Sequence, residues 1–345
     1  SAADFRVFVW TFFVILVVLL PFAALESLTG RVLLLNLPGV DLNPVNAGTR
    51  LGLRRAQTLF AHPILFGVFA STCLGIFWYV LRPRGLRILG VLVSIMATFF
   101  SLSAGAFLSL VMQISFISWE RIFRAIRKRW RLFFVVSAVS YILIDLLSNR
   151  SPFHVLVTYA TFSTGSAYNR IQIWEFGTNN VWSNPIFGLG LRPWERPSWM
   201  SSSVDNFWLV LAMRYGLPAI IMIIAALVII LRRVSRAELP DSGDSLARAG
   251  YLVSFGGLVL AGGTVHYWHA MMAFTMFVIG SGVWSATGGQ VSRSSNTPSD
   301  KPAPAPVSPY TRQPGWGQAI GGVGPGSVDK SLRAGAIPTK KAARF

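Results

Sequence analysis

Residues 7–25 form an uncharged apolar stretch with the sequence VFVWTFFVILVVLLPFAAL. A helix rises about 1.5 Å per residue, so about 20 such residues cross the roughly 30 Å hydrocarbon core of a bilayer. The stretch therefore predicts a transmembrane helix, and its length defines what to look for in the rest of the chain.

The composition of the whole chain agrees with a membrane protein. Of the 345 residues, 53% are hydrophobic and 13% are charged, whereas roughly a quarter are charged in an average soluble domain. The net charge of +18 would suggest a nucleic-acid partner for a soluble protein. Here the basic residues lie in short clusters between apolar stretches, as membrane topology requires, so we expect no nucleic acid. The single cysteine, Cys73, excludes an intrachain disulfide.

Further apolar stretches bring the expected number of transmembrane spans to eight. Residues 88–119 are uncharged but too long for one helix, and the sequence Ser-Leu-Ser-Ala-Gly at 101–105 divides them into a predicted helical hairpin. The remaining spans are 64–81, 132–148, 207–231, 251–265 and 270–284. This pattern predicts an all-α, polytopic membrane domain over residues 1–287. Since the chain begins with Ser1 rather than Met, eight is taken as a minimum.

The distribution of Lys and Arg predicts the orientation of the spans. Of the 31 basic residues, 22 lie in one alternating set of connections and termini and 8 in the other. Basic residues are retained on the cytoplasmic side, so both termini are expected inside and the long connection 149–206 outside, in the periplasm. Residues 288–345 are rich in Pro, Gly and Ser and predict a disordered basic cytoplasmic tail, either simply solvated or attracted to anionic lipid.

The long outer connection 149–206 is the expected location of the chemistry, because a turn between helices needs far fewer residues. Its aromatic residues allow two interpretations. Trp and Tyr favour the membrane interface, but flat aromatic faces also pack against the C–H faces of sugar rings. The tryptophans of this connection are Trp174, Trp182, Trp194 and Trp199. A saccharide is therefore one candidate ligand.

Arg170 is the first polar candidate in this connection. If the segment is helical, Arg170 and Trp174 share one face, because they are four residues apart. A guanidinium is always charged and donates in pairs to phosphate oxygens, so Arg170 is suited to hold a diphosphate. The alternative is a surface arginine that pairs with Glu175 or with lipid headgroups.

Asp205 and Asn206 precede the span that begins near residue 207. A partly desolvated carboxylate at that helix mouth is suited to act as a general base. The alternative is helix capping, since Asp and Asn both accept from free backbone N–H groups at a helix start, and adjacent residues allow both roles. Arg214 lies inside the same predicted span, where a charge is costly and is by default a functional candidate.

Four segments together resemble the O-antigen ligase and polymerase superfamily. They are Asn169-Arg-Ile-Gln-Ile-Trp174, Asn184-Pro-Ile-Phe-Gly-Leu-Gly190, Ser203-Val-Asp-Asn-Phe-Trp-Leu209 and Arg214-Tyr-Gly-Leu-Pro218. In that family an Arg/Trp segment precedes an nP-x-x-G-x-G turn, and a His-Asn pair then leads into a helix with glycine ten residues after the Asn. Asn206 and Gly216 keep that interval. Two positions depart from the family pattern: Asp205 stands where the family has His, and Ala104 where it often has Arg.

The resemblance covers about residues 50–285 and implies a set of site residues. Arg170 and Arg214 are the first choices to bind the diphosphate, with Asp205 as base. Further candidates for substrate binding are Arg54, Arg55, His62, Trp174, Glu175 and Asn206. The remaining histidines do not form a convincing metal set, and we interpret His266 and His269 as interfacial residues.

The resemblance implies a metal-independent membrane glycosyltransferase of the polysaccharide polymerase or ligase type, acting in exopolysaccharide or lipopolysaccharide biosynthesis. Its donor would be a glycan on a polyprenyl diphosphate, and its acceptor a hydroxyl of a glycan or lipid-linked glycan. The implied location is the periplasmic side of the bacterial inner membrane, with membrane lipid and other polysaccharide-assembly proteins as partners and no cofactor. Two alternatives remain: a lipid-linked glycan transporter or flippase, and a non-catalytic membrane subunit of a polysaccharide-export complex.

Overall fold

The computed structural model describes residues 1–40, 42–149, 151, 154–155, 158, 164–239 and 241–286. Its main helices are α1 (Ala2–Thr29), α2 (Pro63–Val80), α3 (Arg84–Ser101), α4 (Ala104–Ile122), α5 (Arg129–Leu147), α6 (Thr164–Ser183), α7 (Phe207–Arg236), α8 (Ser242–Gly262) and α9 (Ala270–Ser281). A 3₁₀ turn spans Leu34–Asn36, and strands β1 (Thr49–Arg50) and β2 (Leu53–Arg54) form a short antiparallel hairpin. The predicted tail, 288–345, lies outside the described residues.

Six of these helices are long and apolar enough to cross a membrane, namely α1, α2, α3, α5, α7 and α8. They indicate a multi-pass membrane protein, and the all-α class is confirmed. The two other predicted spans coincide with α4, in which polar residues such as Gln113 lower the mean hydropathy, and with α9, which has only 12 residues. The number of eight spans stays a prediction.

The predicted break in the long apolar stretch 88–119 is confirmed. Helix α3 ends at Ser101 and α4 begins at Ala104. Between them Leu102 adopts a left-handed backbone with φ 46°, which ends α3. Leu102 and Ser101 are buried, and their carbonyl groups accept hydrogen bonds from Arg50 and Arg55, respectively.

Helix α2 is the buried centre of the helical bundle. It packs against α1, α3, α4 and α8, and small residues allow the close approach that helices need in lipid. A Cβ atom added to Gly67 would lie 2.2 Å from Ser101 Oγ. The buried amide of Gln113 joins the helices further, since its Nε2 donates to Ser71 O (2.8 Å) and its Oε1 accepts from Gly75 N (3.0 Å).

Helix α1 holds the connection that follows it. The buried Glu26 carboxylate accepts backbone hydrogen bonds from Gln57 N (3.1 Å) and Thr58 N (2.9 Å). Ser27 Oγ donates to Arg54 O (2.8 Å). On the other side, Ala56 N donates to Phe100 O of α3 (2.8 Å). Residues 54–58 are thereby fixed between two helices, and Arg55 within them has a defined position.

Candidate active site

A cavity of about 350 Å³ opens where several helix starts meet. It is lined by Arg50, Arg55, His62, Ile64, Ser103, Ala104, Ser166, Asn169, Arg170, Ser203, Asp205 and Trp268. These residues include the N-terminal ends of α2 and α4 and the segment just before α7. Helix N-termini carry partial positive charge, which adds to that of the arginines. We call this space the first cavity.

Arg50 is held between the helical break and α6. Its Nη1 donates to Leu102 O (2.7 Å) and its Nη2 donates to Ser166 Oγ (3.3 Å). Arg50 lies on β1, and the two-residue turn that follows it, Leu51-Gly52, has positive φ at both positions, as tight hairpins require. Burial lowers the pKa of Arg50 from its usual value.

Arg55 is the most buried cation of the first cavity, with 6% of its surface exposed. Its Nε donates to Ser101 O (3.2 Å), and its buried Nη2 has no hydrogen-bond partner in the part of the chain that the structure describes. Burial and the nearby Arg50 lower the pKa of Arg55 to about 10, against the opposing effect of Asp205. Arg55 therefore stays charged at neutral pH while one guanidinium nitrogen remains available to an acceptor.

Arg170 and Asp205 complete the charges of the first cavity. The segment that contains Arg170 and Trp174 is helical, and both residues lie in α6. Burial lowers the pKa of Arg170, Asp205 raises it, and Arg50 lowers it again. The lining thus combines three guanidinium groups with one carboxylate, a net positive site that favours an anion.

The two adjacent polar residues before α7 have separate positions. Asn206 caps the helix, because its Oδ1 accepts from Leu209 N (3.0 Å), and it is buried. Asp205, one residue earlier, lines the first cavity, and its Oδ1 accepts from Ser203 Oγ (3.4 Å). The capping role that the sequence offered to both residues belongs to Asn206, so Asp205 has no part in it.

His62 is a neutral hydrogen-bond donor in this geometry. Burial, followed by the charges of Arg55 and Arg50, lowers the pKa of His62 to about 4. Its Nδ1 accepts from Ile64 N (3.1 Å), which caps α2. The proton of the neutral ring must then lie on Nε2, so that atom donates and does not accept. Asp205 remains as the proton acceptor among the candidates that line this cavity.

Arg214 lines a second cavity rather than the first, although the sequence led us to expect it beside Arg170. The second cavity has about 480 Å³. Its lining consists of Leu189, Leu191, Arg192, Pro193, Trp194, Arg196, Ser202, Ser203, Val204, Val210, Met213, Arg214 and His266. Ser203 lines both cavities, so the two are neighbours across the segment that carries Asp205.

Glycines of the sequence motifs allow the 184–190 loop to pack closely against α7 beside the second cavity. Gly216 interrupts α7 with φ 80°, and a Cβ there would lie 2.2 Å from Ile186 O. Gly188 has φ 67°, and its Cβ would lie 2.5 Å from Arg214 O. Backbone bonds Leu189 N to Met213 O (2.7 Å) and Gly190 N to Arg214 O (3.0 Å) join the two segments. Gly216, ten residues after Asn206, is thus the position at which α7 kinks and the 184–190 loop packs against it.

Four predicted substrate-binding residues line neither cavity: Asn206, which caps α7 as described above, and Arg54, Trp174 and Glu175. Arg54 donates through Nη1 to Gly30 O (2.9 Å) and ties the hairpin to the end of α1. Trp174 and Glu175 have exposed side chains on α6. No sequence pattern pointed to Arg50 or Trp268, or to the position of His266. The only signal that could have indicated Arg50 is local: the turn residue Gly52 and the neighbouring Arg54-Arg55 pair.

Comparison with known proteins adds one finding. No curated protein matches the chain significantly. Residues 89–224, however, match a family model described as O-antigen ligase. The matched segment contains Arg170, Ser203, Asp205 and Arg214 but not Arg50, Arg55 or His62. Residues 89–224 are therefore similar to the O-antigen ligase family, which confirms the resemblance to the O-antigen ligase and polymerase superfamily drawn from the motifs.

Proposed function

We propose that the chain is a membrane glycosyltransferase that moves a glycan from a polyprenyl diphosphate donor to a hydroxyl of an acceptor glycan. The observation that carries the proposal is the first cavity, where Arg50, Arg55 and Arg170 surround a single carboxylate, Asp205. The family match at residues 89–224 supports a ligase-like function in general. The proposed location is the periplasmic side of the bacterial inner membrane.

The arginines are suited to the leaving group. Polyprenyl diphosphate departs as a polyanion while positive charge develops at the anomeric carbon, so preorganised donors stabilise the charge that grows. The buried Nη2 of Arg55, without a partner among the described residues, supports a role in binding a phosphate oxygen. In this proposal the guanidinium groups, and no metal ion, compensate the diphosphate charge.

We assign Asp205 as the base that takes the proton of the acceptor hydroxyl. The acceptor hydroxyl oxygen attacks the anomeric carbon of the donor, the bond from that carbon to the diphosphate oxygen breaks, and both bonding electrons leave with the diphosphate. The hydroxyl proton passes to an Asp205 carboxylate oxygen. His62, which carries its proton on Nε2, is assigned as a donor to the substrate.

The proposal is tested with the purified chain in liposomes that contain a labelled glycan on polyprenyl diphosphate and an unlabelled acceptor glycan. We expect covalent transfer of label to the acceptor, unaffected by a metal chelator. Arg170→Gln should lower turnover about a hundredfold, since one charge-stabilising group is lost. The matched control is Arg31→Gln, an exposed arginine that lines neither cavity.

Two results would contradict the proposal and favour the alternatives. Movement of the lipid-linked glycan across the bilayer without covalent transfer would identify a transporter. No transfer by a correctly folded chain, restored only when other polysaccharide-assembly proteins are added with their own catalytic sites, would identify a non-catalytic subunit.

A further inference from the structure

The second cavity carries uncompensated positive charge. Arg192, Arg196 and Arg214 line it, and its lining residues include no Asp or Glu. Each of these arginines donates to a neutral backbone oxygen: Arg192 Nε to Leu189 O (3.3 Å), Arg196 Nε to Met200 O (3.1 Å) and Arg214 Nη1 to Gly190 O (3.4 Å). Within the ranges that the structure describes, none of the three forms an ion pair with a carboxylate.

His266 and Trp194 add neutral recognition groups to this cavity. The Nδ1 atom of His266 is buried without a hydrogen-bond partner among the described residues, and the imidazole stacks against the Trp268 ring at 5.8 Å. Trp194 is buried with its Nε1 donating to Ser202 O (3.0 Å), and the Arg196 guanidinium lies over its ring. Aromatic faces beside charged donors are suited to a sugar that bears an acidic group.

We propose that the second cavity binds a phosphate or carboxylate substituent of the acceptor glycan, so that the protein selects acidic acceptors. This inference rests on the proposed function and adds the chemical class of the acceptor. The volume of about 480 Å³ lies in the range of small-molecule sites. Three guanidinium groups without carboxylate partners favour an anionic ligand over a neutral one.

The position of this cavity fits an acceptor site. Ser203 lines both cavities. Burial lowers the pKa of His266 in the second cavity and those of Arg55 and Arg170 in the first, and the negative charge of Asp205 opposes each of these shifts, so Asp205 is close to groups of both cavities. An acceptor held by its acidic group in the second cavity therefore extends toward Asp205. Its attacking hydroxyl then lies beside Asp205, where the two cavities adjoin, and the donor diphosphate occupies the first cavity.

The test measures binding of radiolabelled glucose 1-phosphate to the full chain in phosphatidylcholine nanodiscs by equilibrium dialysis. Unlabelled glucuronate should compete, and glucose should not. Arg192→Glu and Arg214→Gln should each weaken binding at least about tenfold, because a charge-assisted hydrogen bond is lost. Arg31→Glu is the matched control, and thermal unfolding of each variant checks its fold. Because Arg192 is exposed, its charge reversal leaves the packing intact.

Two outcomes would overturn the proposal. Loss of binding in Arg170→Gln but not in Arg192→Glu or Arg214→Gln would move the anion to the first cavity. Loss of glucose 1-phosphate binding on addition of phosphatidylglycerol to the nanodiscs would identify a lipid headgroup as the occupant, whereas we expect binding to change less than twofold.

The binding test is independent of catalysis. Binding with the expected variant pattern but without glycan transfer would leave the anion site standing and reject the proposed glycosyltransferase function. Transfer to neutral and acidic acceptors at equal kcat/KM, with no glucose 1-phosphate bound, would leave the function standing and reject the acceptor site.

Discussion

At the scale of single residues, the adjacent Asn206 and Asp205 have different roles: Asn206 stabilises the helix start, and Asp205 is the candidate base. Asn206 is buried and caps α7 through its side-chain oxygen, whereas Asp205 faces the first cavity. A change at Asp205 therefore leaves the helix start unaltered. A substitution of Asp205 can therefore test for a general base without removing the cap of α7.

Asp205→Asn should lower the turnover of glycan transfer at least about a hundredfold, because the amide keeps the shape of the carboxylate but does not accept the proton. Asp205→His, which introduces the residue usual in the family, should retain more activity than Asp205→Asn. Turnover is measured at matched protein levels in liposomes, with Glu195→Gln as an exposed carboxylate control. Near-normal turnover of Asp205→Asn would remove Asp205 from the role of base.

The low pKa of His62 leads to a prediction about the pH dependence of kcat/KM. Because burial and two arginines lower its pKa to about 4, His62 is neutral throughout pH 5–8. It should therefore add no ionisation to the pH profile of kcat/KM in that interval. His62→Asn keeps a capping oxygen for α2 and should lower kcat/KM about tenfold without changing the shape of the profile. A wild-type limb near pH 6.5 that disappears in His62→Asn would show that His62 titrates and acts as the base.

At the scale of elements, the kink in α7 and the 184–190 loop form one unit. Two glycines with positive φ allow backbone atoms of the loop to touch the kink, and backbone hydrogen bonds join the segments. Leu189, Met213 and Arg214 at this contact form one part of the wall of the second cavity. The motif glycines are therefore explained by packing and backbone geometry rather than by contact with substrate.

Gly216→Ala should destabilise the fold by about 1–3 kcal/mol, because the new Cβ meets Ile186 O and the backbone adopts a left-handed conformation. Gly280→Ala is the matched control, since no atom lies within 4 Å of its Cβ and alanine favours a helix. Thermal unfolding in detergent compares the two variants. Equal melting temperatures would mean that the loop does not rest on Gly216 in solution.

At the scale of the whole molecule, the orientation in the membrane rests on the separation of 22 basic residues from 8. Single cysteines at the exposed Ser198 and Ser242 should differ in a background without Cys73, which is buried. An impermeant maleimide applied to intact spheroplasts should label Ser198→Cys and not Ser242→Cys. Lysed cells, in which both positions are accessible, provide the control. The reverse labelling in intact spheroplasts would invert the topology and place both cavities on the cytoplasmic side.

Much of this protein follows from the sequence alone. The helical membrane class and the break at 101–105 follow from hydropathy and spacing, since each segment's transfer into lipid is a local property. The motif order also identified the family resemblance, and the candidates named from the sequence include four residues that line the first cavity, Arg55, His62, Arg170 and Asp205.

Only the tertiary structure decided which charges share a cavity. Arg50 and Ser166 are 116 positions apart yet hydrogen-bonded, and no local pattern predicts such a contact. Arg214 is nine positions from Asp205, but the kink at Gly216 and the loop docked on it give Arg214 a second cavity with His266. Hydropathy reports how a segment partitions into lipid, whereas the meeting of side chains depends on how helices pack against one another. That packing divides one predicted set of arginines between two neighbouring cavities.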